Sequence, residues 1–247
     1  MRRLIPFLVM LPNTQAAGLN DTGITFCGDA SSNSAICSAA AADSGAYPRQ
    51  DARYGRDAAV SAKAITKIGG GEAGFDFTAL NVSGQVTAPT SGVTPHPCVR
   101  DNITGLIWEV KTADGGLRDQ KWTYTWYDCV HNYGGSAGTE SGTINCKNSG
   151  RCDTEKYVAD VNAMALCGYV DWRMPTRKEL QSIVHYGRAN PSIDSTYFLN
   201  TPNSVFWSGS PNAYYSSYAW VISFGDGQAG SGNIVHSNSV RLVRSEP

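Results

Sequence analysis

Charge is scarce in this chain: Asp, Glu, Lys and Arg make up 17% of 247 residues, against roughly 25% in an average soluble domain. The net charge is −1, and the basic residues are dispersed rather than gathered into the stripe that a phosphate backbone requires. Nucleic acid is therefore not an expected partner. No apolar run approaches the ~18 residues needed to span a bilayer. Seven cysteines form no C-x-x-C pair, and four histidines (96, 131, 185, 236) are scattered. Zinc is poorly supported by that spacing, and no cofactor is expected. There is also no G-x-S-x-G turn to present a serine nucleophile.

What is abundant is Gly, at 26 residues, together with Ser and Asn, a composition that suits a loop-rich surface protein. Met1-Arg2-Arg3 supplies positive charge, Leu4 to Leu11 a short apolar run, and Thr14-Gln15-Ala16-Ala17 a small-residue exit. These are the parts of an export signal over residues 1–17. Secretion or display at a cell surface, or a periplasmic location, follows as the expected destination. In such an oxidising compartment the cysteines are expected to form disulfides. Cys27 with Cys37 and Cys146 with Cys152 close small loops, and at most one bridge is left among Cys98, Cys129 and Cys167.

Residues 18–95 are rich in Ala, Gly, Ser and Asp with weak periodicity, and read as an irregular companion segment. The Thr87 to Pro97 stretch, with Pro89, Pro95 and Pro97, marks the boundary to a domain over 96–247. There the pattern sharpens. Thr104 to Glu109 runs from a turn into an apolar strand. Asp153 caps a first helix carrying Tyr157, Val158 and Val161, with Gly168 as its stop. Thr176 and Glu179 form a capping box for a second helix, whose apolar stripe is Leu180, Ile183 and Val184. Then Tyr218, Trp220, Ile222 and Phe224 alternate, Asp226-Gly227 signals a hairpin, and Val240 and Leu242 alternate in a closing strand. A strand, two helices and then several strands make an α+β fold with a mostly antiparallel sheet.

Several spaced motifs carry a resemblance. They are Thr104-Gly105-Leu106-x-Trp108, Gly168-Tyr169-x-Asp171-Trp172-Arg173-Met174-Pro175-Thr176-x-x-Glu179-Leu180, Phe206-Trp207-Ser208, Ala219-Trp220, Phe224-x-x-Gly227 and Val240-Arg241-x-Val243-Arg244. In this order they closely resemble the C-terminal domain family of the Legionella collagen-like adhesin, over roughly 98–245. Leu19 to Cys27, Gln50-Asp51-Ala52 and Gly55-Arg56-Asp57 look like a segment that often accompanies it. The resemblance implies the formylglycine-generating-enzyme-like branch of the C-type lectin fold and an exported, adhesive role. The characterised adhesin binds sulfated polysaccharide as a trimer, but this chain has no Gly-X-Y stalk to drive trimerisation.

An enzyme of the formylglycine-generating type needs a reactive cysteine pair near its C-terminus, and no Cys follows Cys167. No catalytic or metal-binding residue is assigned. Asp171, Arg173 and Glu179 are expected to form a structural network around the second helix, and His185 to lie at its surface or cap. Trp108, Trp172, Trp207 and Trp220 are expected in the core. The candidate contact surface is Tyr214, Tyr215, Tyr218, Ser223, Asp226, Ser231, Asn233, His236 and Asn238. Tyr supplies contact area at low entropy cost and Ser and Asn supply adaptable hydrogen bonds, as in antibody paratopes. The same stretch resembles the variable region of proteins diversified by retroelements, whose mutable codons yield this residue set. The expected ligand is a protein or neutral glycan at a cell surface, because the loops hold no basic cluster for an anionic polymer. A self-assembling surface subunit is the alternative, with homo-oligomerisation open, and a glycan hydrolase the third reading.

Overall fold

The computed structural model describes residues 20–29, 32, 33, 37, 47–130, 137–140 and 145–246. The expected export signal over residues 1–17 lies outside the described residues. In chain order the elements are α1 (Asp51–Tyr54), α2 (Arg56–Ser61), β1 (Phe77–Leu80), β2 (Cys98–Asp101), β3 (Leu106–Glu109) and β4 (Tyr124–Thr125). They continue with α3 (Thr154–Ala163), a 3-10 turn (Leu166–Gly168), α4 (Arg177–Gln181), β5 (Val205–Pro211), β6 (Tyr218–Ser223), β7 (Ala229–Asn233), β8 (Ser237–Asn238) and β9 (Val243–Ser245). The fold is α+β with more strand than helix. No helix among the described residues is long and apolar enough to cross a membrane.

Three antiparallel sheets share the work: β1-β2-β3-β9, β4-β8 and β5-β6-β7. The β2–β3 hairpin is set by Asp101. Its carboxylate accepts from Ile103 N at 3.0 Å and Thr104 Oγ1 at 2.7 Å, and Gly105 closes the turn at φ 70°. That positive φ is where a residue without Cβ carries no steric penalty. All four residues of β3 are buried. Because side chains alternate along a strand, Leu106 and Trp108 enter one apolar cluster with Phe77, Leu180, Phe206 and Ile222. Ile107 enters a second with Trp126, Tyr157, Trp172, Trp207 and Val221.

The segment expected to be irregular contributes a strand to this sheet. β1 pairs with β2 across the Pro-rich stretch, Phe77 opposite Asp101 and Leu80 opposite Cys98. Asn20 Nδ2 also donates to Asp101 Oδ2 at 2.7 Å, so residues on both sides of the expected boundary meet at one turn.

The helices start as their caps dictate. Asp153 accepts from Lys156 N at 2.8 Å at the head of α3, and the Thr176–Glu179 capping box opens α4. The second helix is shorter than its apolar stripe suggested: α4 ends at Gln181, and Ile183 and Val184 reach the core from the following turn. His185, expected at the surface or in a cap, is buried, and neither ring nitrogen makes a hydrogen bond among the described residues. Its ring lies 5.5 Å from that of Phe75, its Nε2 is 3.2 Å from Glu72 Oε2, and burial lowers its pKa.

Three disulfides form: Cys27–Cys37, Cys98–Cys167 and Cys146–Cys152, leaving Cys129 as an exposed free thiol. Cys98–Cys167 ties β2 to the turn after α3 across 69 residues. Beside it sits a buried charge knot. Glu109 accepts from Lys111 Nζ at 2.9 Å, from the Tyr157 hydroxyl and from Leu242 N. Arg241, one residue before Leu242, points the other way into the rings of Phe198, Phe206 and Phe224. Full burial pushes its pKa down to about 10.

Candidate binding face

The β5-β6-β7 sheet presents the candidate contact residues, and its register sorts them. Tyr218 lies opposite Asn233 and Trp220 opposite Ser231, and residues directly opposite share a face. The alternate positions Ala219 and Val221 turn inward against Trp207. Gly230 and Gly232 face them across β7. A Cβ at Gly232 would come within 2.9 Å of the Trp207 ring. Only a residue without a side chain lets β7 lie this close to that indole.

At the head of β6 the chain turns through residues 212–217. Asn212 shapes the turn, its Oδ1 accepting from Tyr214 N at 2.9 Å and Tyr215 N at 3.1 Å. The result is an aromatic cluster on the outside of the molecule. Tyr214 is 84% exposed and Tyr215 56%. The two rings lie 4.7 Å apart, edge to face, and Tyr215 lies 5.6 Å from Tyr218. Ile234 N donates to Ser217 O at 3.1 Å, which brings the turn after β7 to the same end. There Asn233 Oδ1 accepts from Val235 N at 3.2 Å, and His236 is exposed. Tyr214, Tyr215, Tyr218, Asn233 and His236 thus gather at one end of the sheet, and Ser231 lies midway along β7, opposite Trp220.

Ser223 and Asp226 are not part of that gathering. They form the hairpin turn between β6 and β7, at the far end of a six-residue strand and so roughly 17 Å from Tyr218. Gly227 N donates to Ser223 O at 2.8 Å. The Asp226 carboxylate accepts from Gln228 N at 3.2 Å. Hydrogen bonds from Ser223 and from that amide hold its pKa below the usual carboxylate value. Asn238 is placed differently again, in the β4–β8 ladder opposite Tyr124.

Trp220 corrects an expectation. Trp108, Trp172 and Trp207 are buried, but Trp220 is only partly covered. It belongs to the outward half of β6, and its cover is the Arg177 guanidinium, 4.3 Å from the ring centroid. A cleft of about 540 Å³ opens beside this stack, lined by Trp126, Thr154, Val158, Met174, Thr176 and Gly209 among others. Thr176 leads directly to Arg177, and Arg177 N donates to Ser210 Oγ at 3.0 Å, so the cleft reaches the end of β5 next to the Arg177–Trp220 stack. Sequence reasoning missed it, since its walls come from separate segments with no shared motif.

Arg173, in the cleft wall, and Asp171, two residues before it, are both in ion pairs. Arg173 holds Glu179 through two bonds of 2.9 and 2.7 Å. Burial raises the Glu179 pKa, but Arg173 and the Thr176 cap outweigh it and hold the carboxyl below its usual range. Asp171 is bound by Arg244 at 2.7 and 3.1 Å, and that guanidinium covers the Tyr169 ring at 3.8 Å. At the rim, Cys129 Sγ lies 3.8 Å from Glu155 Oε1. Its pKa is raised, first by that hydrogen bond and then by desolvation, so the thiol stays protonated at neutral pH.

No curated protein and no solved structure matches the chain. One family model does: the Lcl C-terminal domain, over residues 97–244. That span is more than half of the 247 residues and contains every motif from Thr104 to Arg244. The chain belongs to the Lcl C-terminal domain family.

Proposed function

We propose that this chain is an exported, non-enzymatic adhesin-type protein that grips its ligand with the tyrosine end of the β5-β6-β7 sheet. The observation that carries the reading is the exposed cluster of Tyr214, Tyr215 and Tyr218, held ring to ring on a framework of buried Trp207 and Ala219. Exposed aromatics are costly to leave in water without a use, and Tyr at a contact face brings area with little rotamer entropy to lose. Asn233 opposite Tyr218, the exposed His236 and, farther along β7, Ser231 add groups that donate and accept hydrogen bonds. Family membership supports the adhesive role, and three disulfides suit an oxidising, extracellular setting. The scaffold reading is a C-type-lectin-like domain. On that scaffold the tyrosines and the Ser, Asn, Asp and His positions of the same stretch are the variable positions of a retroelement-diversified protein. The ligand is a protein or neutral glycan, because residues 209–218 and 229–238 hold no Lys or Arg and the Arg177 guanidinium is stacked on Trp220.

A glycan array and a pull-down of surface proteins, run on one preparation of the full chain, test this reading. Replacing Tyr214, Tyr215 and Tyr218 with Ala should remove whatever binding the wild type shows. Retained binding in the triple variant would move the ligand elsewhere on the molecule. Size measurement separates the assembly alternative: a concentration-dependent ladder, in place of a discrete species, would favour a filament subunit.

A further inference from the structure

Far from the tyrosines, three carboxylates meet in the segment that precedes the family domain. Asp21, Asp51 and Asp57 each place an oxygen within 4.8 Å of the other two. Asp21 and Asp57 are 6% and 7% exposed, and Asp51 is half-buried. Like charges so close repel one another strongly once water is excluded. Some bonds within the segment compensate. Asp21 Oδ1 accepts from Gly23 N at 2.7 Å, Asp21 Oδ2 from Asp57 N at 3.1 Å, and Asp51 Oδ2 from the Thr22 hydroxyl.

They do not compensate all of it. Asp57 Oδ1 is fully buried and has no donor among the described residues, and an orphaned, buried carboxylate oxygen is among the costlier defects a fold can carry. The neighbouring cations turn elsewhere. Arg56 Nε donates to Gly74 O at 3.1 Å, and Lys67 Nζ to Gly71 O at 2.8 Å and Ala73 O at 2.5 Å. The surrounding backbone is shaped around the oxygens. A Cβ on Gly74 would lie 2.3 Å from Asp21 Oδ2, and one on Gly55 2.3 Å from Asp51 Oδ1.

We propose that Asp21, Asp51 and Asp57 bind a divalent cation of the calcium type, which ties residues 20–23 to the two short helices within the N-terminal segment. The donors point to a hard ion, since they are all oxygen, with no imidazole or thiolate among the three. Calcium fits better than magnesium. Three carboxylates from a loop and two short helices form an irregular set, which calcium's flexible shell accepts and magnesium's strict octahedron does not. A cation there supplies the partner that Asp57 Oδ1 lacks and cancels the repulsion. The segment it would hold already touches the domain, Tyr186 N donating to Thr22 O at 2.8 Å and Asn20 to Asp101. This site is independent of the tyrosine face.

The test uses the full chain, stripped with EDTA and titrated with calcium chloride by calorimetry, with thermal melting in parallel. Binding with a Kd in the range of about 10⁻⁵ to 10⁻³ M is expected, as for extracellular calcium modules and weak sensors, together with a melting temperature raised by a few degrees. Asp57→Asn should weaken the affinity at least tenfold and abolish the melting shift, while melting no lower than the EDTA-treated wild type. Should that variant fail to fold, Asp51→Asn, at the half-exposed edge, is expected to show the same loss. No heat and no melting shift up to about 10 mM calcium, far above the weakest Kd expected, would overturn the site. So would wild-type affinity in both variants. A response to magnesium but not to calcium would overturn the choice of ion.

Discussion

The two ends of the β5-β6-β7 sheet are built from similar residues and use them in opposite ways. At one end Ser223 and Asp226 spend their oxygens on the hairpin, in bonds to Gly225 N, Gln228 N and each other. At the other end the side chains of Asn212 and Asn233 shape the two turns, which leaves the tyrosine rings facing solvent. Composition does not separate the two, because Ser, Asp, Asn and Gly serve turns and contact faces alike. What separates them is whether the side chain's polar atoms and ring faces are already engaged. A contact face is made of side chains that the fold itself does not need.

Stability measurements sharpen that contrast, beginning where the expected effect is largest. Trp207 is buried beneath the sheet, and its Nε1 donates to Tyr124 O at 2.9 Å. Trp207→Ala should cost about 3 to 5 kcal/mol in urea unfolding. Trp220→Ala should cost less, about 1 to 2 kcal/mol, since it removes a half-covered ring and one cation–π contact. Equal losses in the two variants would mean that Trp220 belongs to the core after all.

Asp226 gives a pH handle on the turn end. Its folded pKa is depressed by Ser223 and Gln228, so the stability it contributes is complete above the unfolded value of about 3.9. That stability is lost as pH falls through the lower folded value. Carbon-detected NMR titration should place this carboxyl below the free aspartate value, and Asp226→Asn should remove the dependence. A normal titration would show that the carboxylate is free. The smallest effects belong to the tyrosine end. Tyr214→Ala and Tyr215→Ala should each change the unfolding free energy by under about 0.5 kcal/mol.

Much of the architecture was legible where one residue's chemistry dictates the local backbone. Asp153 and the Thr176–Glu179 box mark helix starts because orphan amides need an acceptor, and both caps form. The Cys27–Cys37 pair followed from proximity in sequence and forms. β1 was not legible. Phe77 to Leu80 is nearly all buried, on both faces of the sheet, so it shows no alternation, and the residues that cover it lie far along the chain. The end of α4 was misread because Ile183 and Val184 keep a helical spacing while reaching the core from a turn. Within the site, membership in the tyrosine group depends on strand register. Tyr218 and Ser223 are both on β6, and only the pairing with β7 shows that they occupy opposite ends.

The most direct test of the account is therefore a comparison of the two ends in one binding assay. Wild type, the Tyr214→Ala/Tyr215→Ala/Tyr218→Ala variant and an Asp226→Asn variant would be measured against the ligand recovered from the glycan array or surface pull-down. Binding energy concentrates in a few aromatic anchors. The tyrosine variant should therefore lose at least about 100-fold in affinity while melting within a few degrees of wild type, and Asp226→Asn should bind as wild type does. A tyrosine variant that still binds, or an Asp226→Asn variant that loses binding while folded, would contradict it.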